Sequence, residues 1–317
     1  MVGTTRTVVA KAAALVCAGV IALGASGCSL TVPPLSEAEA PQTYAQTIDD
    51  SLLVAPGTLT VAVDTADAPQ AMAQNGGIEG YDVDLARLLA ARMGLDLNVI
   101  EGTSAESTVG EGLADVYLGA ETSDGSSSIT VSGVYLENAT AVFGRTEGAG
   151  TGLTSDVLAQ AVVGVQESSA SQEVLVRAGI ASTQQTFSNV NACFEALGQG
   201  QVDYVVCDAT AGAYLARAYP GVTFLGALST TTTFGLATSA DASDLTDALT
   251  QALGDITSDG SIDAVHTAWY GHLPVSLADT AVSGVTVADT GTDDDSDADA
   301  ATTSDAPSDP DSMNSLD

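Results

Sequence analysis

The chain has 317 residues, 45% hydrophobic but only 4% aromatic, and a formal net charge of −34. That length accommodates one large or two modest domains. The charge excludes nucleic-acid binding, which needs basic surface opposite the phosphates, and basic attachment to anionic lipid.

Residues 1–28, "MVGTTRTVVAKAAALVCAGVIALGASGC", place Arg6 and Lys11 ahead of an apolar run. This is the pattern of a secretory signal. The run is short and broken by Gly19 and Gly24, so it does not read as a permanent transmembrane helix. The small triplet Ala25-Ser26-Gly27 before Cys28 resembles a bacterial lipobox. That resemblance implies a lipidated Cys28 and an extracytoplasmic protein anchored to the bacterial cell membrane. Residues 29–57 follow as a flexible tether, with Pro33, Pro34 and Pro41 and no apolar period.

The folded part opens with "LTVAVDT" (59–65), a short buried-type strand. A glycine-rich loop leads to "GYDVDLARLLAARMGL", where Asp82 stands at the expected N-cap and Asp84 adds charge in the first turn. Leu85, Leu88, Leu89 and Met93 recur at helical spacing, and Gly94 is the stop. "LDLNVI" (95–100) completes a β–α–β unit. A short helix around "ESTVGEGL" then precedes the strand "DVYLGA" (115–120). "NAT" (138–140) has the pattern of a glycosylation sequon.

The same grammar recurs after residue 150. Strands are expected at 161–165, 185–188, 202–206 and 222–226, with helices at 168–179, 189–200 and 209–221 between them. A third block holds the threonine-rich strand "TTTFGLAT" (231–238), a helix over 241–256 capped by Asp241, and a last helix over 259–271. The segments "TAVFGRT" (140–146) and "TTTFGLA" (231–237) are the expected crossings between two lobes. Lobe 1 is therefore 58–143 with 232–275, and lobe 2 is 144–231. Residues 276–317 hold eleven Asp and no Lys, Arg or His, and read as an acidic disordered tail.

Cys193 and Cys207 are the cysteines left after the signal and its anchor, and in an exported chain they are expected to pair as a disulfide. No cysteine–histidine spacing suits a metal, and no cofactor motif occurs. His266 and His272 sit with Trp269 in the last helix region, as packing residues. Glu111, Glu121 and Glu167 lack a histidine, lysine or cysteine partner in the sequence around them, so no catalytic set is read and the chain is not expected to be an enzyme.

In order, "LTVAVDT", "GYDVDLARLLAARMGL", "LADVYLGAET", "VSGVY", "VVGVQESSA", "FEALGQGQVDYVVCDATAGAYL", "FGLAT" and "DGSIDAVHTAWYG" resemble the family 3 extracellular solute-binding proteins of ABC importers. The resemblance implies an α/β type II periplasmic-binding-protein fold: two lobes, each a mostly parallel sheet flanked by helices, joined by two hinge strands. It implies a monomer that captures a small polar solute, amino-acid-like or amine, and hands it to an ABC permease. The alternative on the same fold is a non-transport sensor or surface lipoprotein with a degenerate pocket.

Carried over residue by residue, Asp208 would take a ligand ammonium. Gly119, Ala120 and Thr122 would meet a carboxylate, and Ser168 and Ser169 would line the second lobe. Three departures stand out. The carboxylate-clamping arginine expected after Thr122 is absent from "SDGSSSIT". Gln70, itself expected to line the ligand, and Gly102 stand near the places where the family has aromatic residues. A pocket without cationic side chains favours neutral or cationic solutes.

Overall fold

A computed structural model describes residues 44–74, 76–145 and 152–285. The signal, Cys28 and most of the acidic run lie outside the described residues. Strand β1 (Thr58–Val63) leads to a small antiparallel hairpin, β2 (Met72–Gln74) and β3 (Gly77–Glu79), then to helix α1 (Tyr81–Met93). β4 (Asp96–Glu101), β5 (Val116–Glu121) and β6 (Ile129–Asn138) follow. The middle of the chain runs β7 (Thr140–Arg145), α2 (Ser155–Ala159), β8 (Val162–Gln166), α3 (Ala170–Arg177), β9 (Thr183–Phe187) and α4 (Val190–Gly198). It continues through β10 (Tyr204–Asp208), α5 (Ala209–Ala216) and β11 (Val222–Ala227). β12 (Thr232–Ser239), α6 (Ser243–Ser258) and α7 (Ser261–Tyr270) complete it.

Two five-stranded sheets form, in the orders β4-β1-β5-β12-β6 and β11-β7-β10-β8-β9. β1 pairs in parallel with β4 and β5, and β10 and β9 pair in parallel with β8. The continuous apolar run of β1, buried from Leu59 to Val63, suits a strand covered on both faces. β12 runs antiparallel to β5 and β6, which returns the late block of the chain to the first sheet. β7 lies wholly in the second sheet, antiparallel to β10 and β11. The outward crossing therefore falls at Ala139, a few residues before the expected boundary at 143.

Several local expectations are corrected. The 106–113 stretch is a run of turns rather than a helix, in which Thr108 Oγ1 donates to Ser104 O at 2.8 Å. Its two glycines and short polar side chains favour such local bonds over helix. Helix α1 has Gly80 at its N-cap, and Asp82 lies inside its first turn, 2% exposed. Helix α6 has Ala242, not Asp241, at its cap. Gly94 does end α1, in the left-handed conformation. Asn138 is 8% exposed with its side chain bonded inward, which removes the sequon from the surface.

Both ends of the folded body extend further than composition suggests. Residues 46–57, assigned to the tether, dock on the first sheet. Asp115 Oδ1 accepts from Val54 N at 2.7 Å while its Oδ2 accepts from Thr60 N at 2.6 Å. Ile48 and Leu53 pack on the core beside these bonds. At the other end, 276–285 is ordered, not part of a free tail. Glu137 accepts from Leu277 N at 2.7 Å, and Ala227 and Ala281 form a parallel bridge. Leu277 and Val282 are 1% and 4% exposed. Two apolar anchors among small polar residues suffice to dock the strap, and they leave no periodicity to read.

Cys193 and Cys207 are free, buried thiols, not a disulfide. Both sit in the apolar core with Phe143 and Phe194 and behave as small hydrophobic residues. Burial pushes the Cys193 thiol up to about 11 and the Cys207 thiol well above its usual value, so neither is a ready nucleophile.

If the strap belongs to the fold, Leu277→Ala removes a fully buried anchor and lowers unfolding free energy by about 2–4 kcal/mol. Urea denaturation of the two proteins reads this as a lower midpoint at constant slope. An unchanged midpoint contradicts the assignment.

Candidate functional site

The candidate site lies where the loop after β1 meets the end of β10 and the start of α5, Gln70 touching Thr210 there. In open α/β sheets, ligands gather at such strand ends and helix N-termini. The loop after β1 holds Asp64, Asp67 and Gln70, and Gln70 reaches Thr210 beside the second sheet. This loop is pinned to α1: Pro69 O accepts from Tyr81 N at 3.2 Å and Gln70 O from Asp82 N at 2.9 Å. Gly80 makes that approach possible. It has φ 153°, and a Cβ there would lie 2.0 Å from Gln70 O. The glycine before "YDVD" is thus required by the backbone of the loop after β1.

From the second sheet, Asp208 ends β10 and caps α5. Its Oδ1 accepts from Ala211 N at 3.1 Å and Thr210 Oγ1 at 2.8 Å. Its Oδ2 accepts from Asn138 Nδ2. Asn138 Oδ1 in turn accepts from Ala139 N at 2.9 Å and Thr210 N at 3.3 Å. Across the seam, Gln70 Nε2 donates to Thr210 Oγ1 at 3.0 Å. One side chain from each lobe therefore meets directly beside Asp208.

The other predicted residues divide. Gly119 and Ala120 lie in β5, and Gly119 N donates to Tyr135 Oη at 2.8 Å. Tyr135 also favours the charged form of the Asp82 carboxyl, and its ring is stacked 6.2 Å from that of Tyr81. Thr122 N donates to Thr233 O at 2.9 Å, and the two hydroxyls are 2.6 Å apart. Ser168 adopts φ 57°, and Ser169 caps α3 by accepting from Gln172 N at 3.3 Å. The hydrogen bonds of these serines run to the end of β8 and the start of α3, and none ties them to Gln70 or Asp208.

Sequence reasoning missed Asp67, Asn138, Thr210 and Tyr135. The signal for Asp67 was available: an acid three residues after Asp64, in the loop leaving a buried strand, before a proline. Thr210, two residues after Asp208, could have been read as a partner for that carboxylate. Asn138 and Tyr135 lie on β6, which offered no such clue.

The charge balance is one-sided. Partial desolvation, with Asp208 and Asp64 adding repulsion, pushes the Asp67 carboxyl up to about 6. Burial pushes Asp82 well above the carboxylate range, Asp67 reinforcing it and its hydrogen bond from Tyr135 opposing it. Tyr117 rises to about 12 through burial and the fields of Asp64, Asp67, Asp82 and Asp124. The arginines are engaged or placed elsewhere: Arg87 pairs with Asp84, Arg92 with Asp259, Arg145 donates to Leu197 O at 2.9 Å, and Arg217 to Trp269 O at 3.1 Å. Arg177 sits in the last turn of α3. Among the described residues no cluster of His, Cys, Asp or Glu suits a metal ion, and no helix is long and apolar enough to cross a membrane.

The raised Asp67 value has a signed consequence. The folded protein holds this proton more tightly than the unfolded chain, whose carboxyl titrates near 3.8. Stability is therefore lost as pH rises from about 4 through about 6, and the loss is complete above that. Asp67→Asn removes it. In thermal melts without ligand, the variant should melt above wild type at pH 7.5, with the gap closing toward pH 4. A gap independent of pH contradicts the assignment.

The model of the bacterial extracellular solute-binding proteins, family 3, matches residues 59–272. A polar amino acid ABC uptake transporter substrate-binding protein from Streptococcus thermophilus is similar in structure, with a TM-score of 0.62 at 14% identity, over 69% of this chain and 88% of that one. The L-cystine solute receptor of Neisseria gonorrhoeae, in an unliganded open conformation, gives 0.59 at 15% identity, over 69% and 95%. The second substrate-binding domain of GlnP from Lactococcus lactis, also open, gives 0.57 at 17% identity, over 68% and 95%. Among curated proteins none matches this chain.

Proposed function

Because this chain belongs to the family 3 bacterial extracellular solute-binding proteins, we propose that it is a lipid-anchored receptor that closes on a small polar solute, amino-acid-like or amine, and passes it to an ABC permease. Members of this family are extracytoplasmic and deliver small solutes to such permeases. The observation that carries the reading is the meeting of Gln70 and Thr210 across the seam, beside Asp208. The seam is bounded by separate sheets joined through short crossings, the arrangement that hinge closure around a solute requires. Asp208 serves the ligand as acceptor and α5 as cap, one oxygen held by the helix and the other turned to Asn138. Cys28 carries the lipid. The chain works as a monomer without a cofactor.

The second reading, a sensor or surface lipoprotein with a degenerate pocket, is favoured by one observation. Gly119 N, which the family resemblance assigns to a ligand carboxylate, is already taken by Tyr135 Oη.

A thermal-shift screen of amino acids, amines and small polar solutes separates the two. Stabilisation grows with ligand saturation. The receptor reading predicts a hit that Asp208→Ala weakens; a screen without any shift, beside a related binder that responds, favours the degenerate pocket. Mass measurement of the mature protein should show acylated Cys28. A free amino terminus near Ser26 removes the anchor.

A further inference from the structure

The receptor reading leaves the chemistry of the solute open, and this inference rests on that reading. We propose that the cleft selects a small organic cation without a carboxylate, an amine or amidine, held jointly by Asp67 of the first lobe and Asp208 of the second.

The site offers acceptors where a carboxylate ligand would need donors. Of the first-lobe groups that could serve an anion, Gly119 N is given to Tyr135, Thr122 N to Thr233 O, and Glu121 N to Asp124 Oδ2 at 2.9 Å. No lysine follows Lys11, and each arginine from Arg87 onward lies on another part of the fold. The acceptors are in surplus. Gln70 is 4% exposed and its Nε2 is used, yet its Oε1 has no partner. Asp82 is 2% exposed and its Oδ1 has none either. A buried acceptor left unpaired is costly, so an N–H-bearing ligand that reaches Gln70 gains what the empty cleft lacks.

The carboxylates come from different elements. Asp64 and Asp67 lie on the loop after β1, Asp82 on α1, Asp124 after β5 and Asp208 on β10, and the fields of Asp64, Asp67, Asp82 and Asp124 reach Tyr117 of β5. Asp67 and Asp208 bring like charge to the two sides of the Gln70–Thr210 contact. A cation between them attracts both, so binding and closure are driven by the same charge. A metal ion fits poorly, since among the described residues no three acidic, histidine or cysteine ligands converge. The spread of single carboxylates suits a ligand that is itself extended.

Protons compete with such a ligand. The facing groups named above are all acidic or phenolic, so nothing cationic replaces the proton that Asp67 gains near pH 6. Affinity should be full above that pH and fall about tenfold per unit below it, as one carboxylate is neutralised.

The test is isothermal titration of the mature chain at pH 7.5 with 1,4-diaminobutane, agmatine and ethylammonium, against glutamate, glutamine and glycine. The proposal expects saturable binding of an amine or amidine, weakened about tenfold or more by Asp67→Asn and by Asp208→Asn, and weakened again at pH 5. Asparagine keeps the helix cap at 208, so circular dichroism of both variants should match wild type. Tighter binding of an amino acid than of the amines overturns the proposal and leaves the receptor reading standing. So does amine binding indifferent to both substitutions. Heat from calcium chloride that Asp67→Asn abolishes overturns it in favour of a metal. Silence from every solute overturns this proposal and the receptor reading together.

Discussion

The seam between the sheets depends on Asn138. Its carbonyl oxygen holds the first amide of the outward crossing, Ala139 N, and the amide of Thr210 at the start of α5. Its nitrogen holds Asp208. Through those bonds one residue at the end of β6 fixes where the chain leaves the first sheet, where α5 starts, and how the carboxylate of Asp208 is turned. Thr210 then stands where Gln70 can reach it. A buried amide with both ends paired is geometrically demanding, and partial satisfaction is worse than none. The hinge is thus specified by polar bonds where most of the molecule is specified by apolar packing.

That packing is continuous through the hinge. Phe143 of β7 meets Phe194 at 5.6 Å between ring centroids and Phe224 at 6.0 Å. On the first-lobe side, Tyr81 packs on Tyr270 at 5.0 Å. Tyr214 of α5 stacks on Trp269 of α7 at 5.8 Å, and Arg217 lies over the Tyr214 ring while donating to Trp269 O. Aromatics are only 4% of the chain, and many of them stand where the two lobes touch. Large rings give the most contact per residue, so a sparse supply is best spent at junctions. The strap at 276–285 adds a third tie, held by Glu137 at one end and by the edge of β11 at the other.

How much of this was legible follows from period and composition. The parallel units announced themselves because buried strands read as apolar runs and α1 as a 3.6-residue period; the matching boundaries differ by only a few residues. β12 was placed correctly as a return strand. What was hidden lacked period. The strap owes its place to Leu277 and Val282, spaced too far apart to register against a polar background. The segment at 46–57 is held by the carboxylate of Asp115, sixty residues away in sequence by rough count, and long-range capping of this kind leaves no local mark. Asp208 was legible because a helix cap after a strand is a local pattern. Asp67, Asn138 and Thr210 matter only through contacts across the seam. The missing disulfide reflects the same limit, since cysteine count says nothing of burial among phenylalanines.

The proposed cleft gathers acidic groups from both lobes, while among the described residues the arginines lie elsewhere in the fold. Carbon-detected titration of the Asp67 carboxyl in ligand-free protein tests it directly. The expected midpoint is near 6, moved downward when Asp208 is replaced by asparagine. A midpoint near the ordinary aspartate value of about 3.9, unmoved by that replacement, contradicts it.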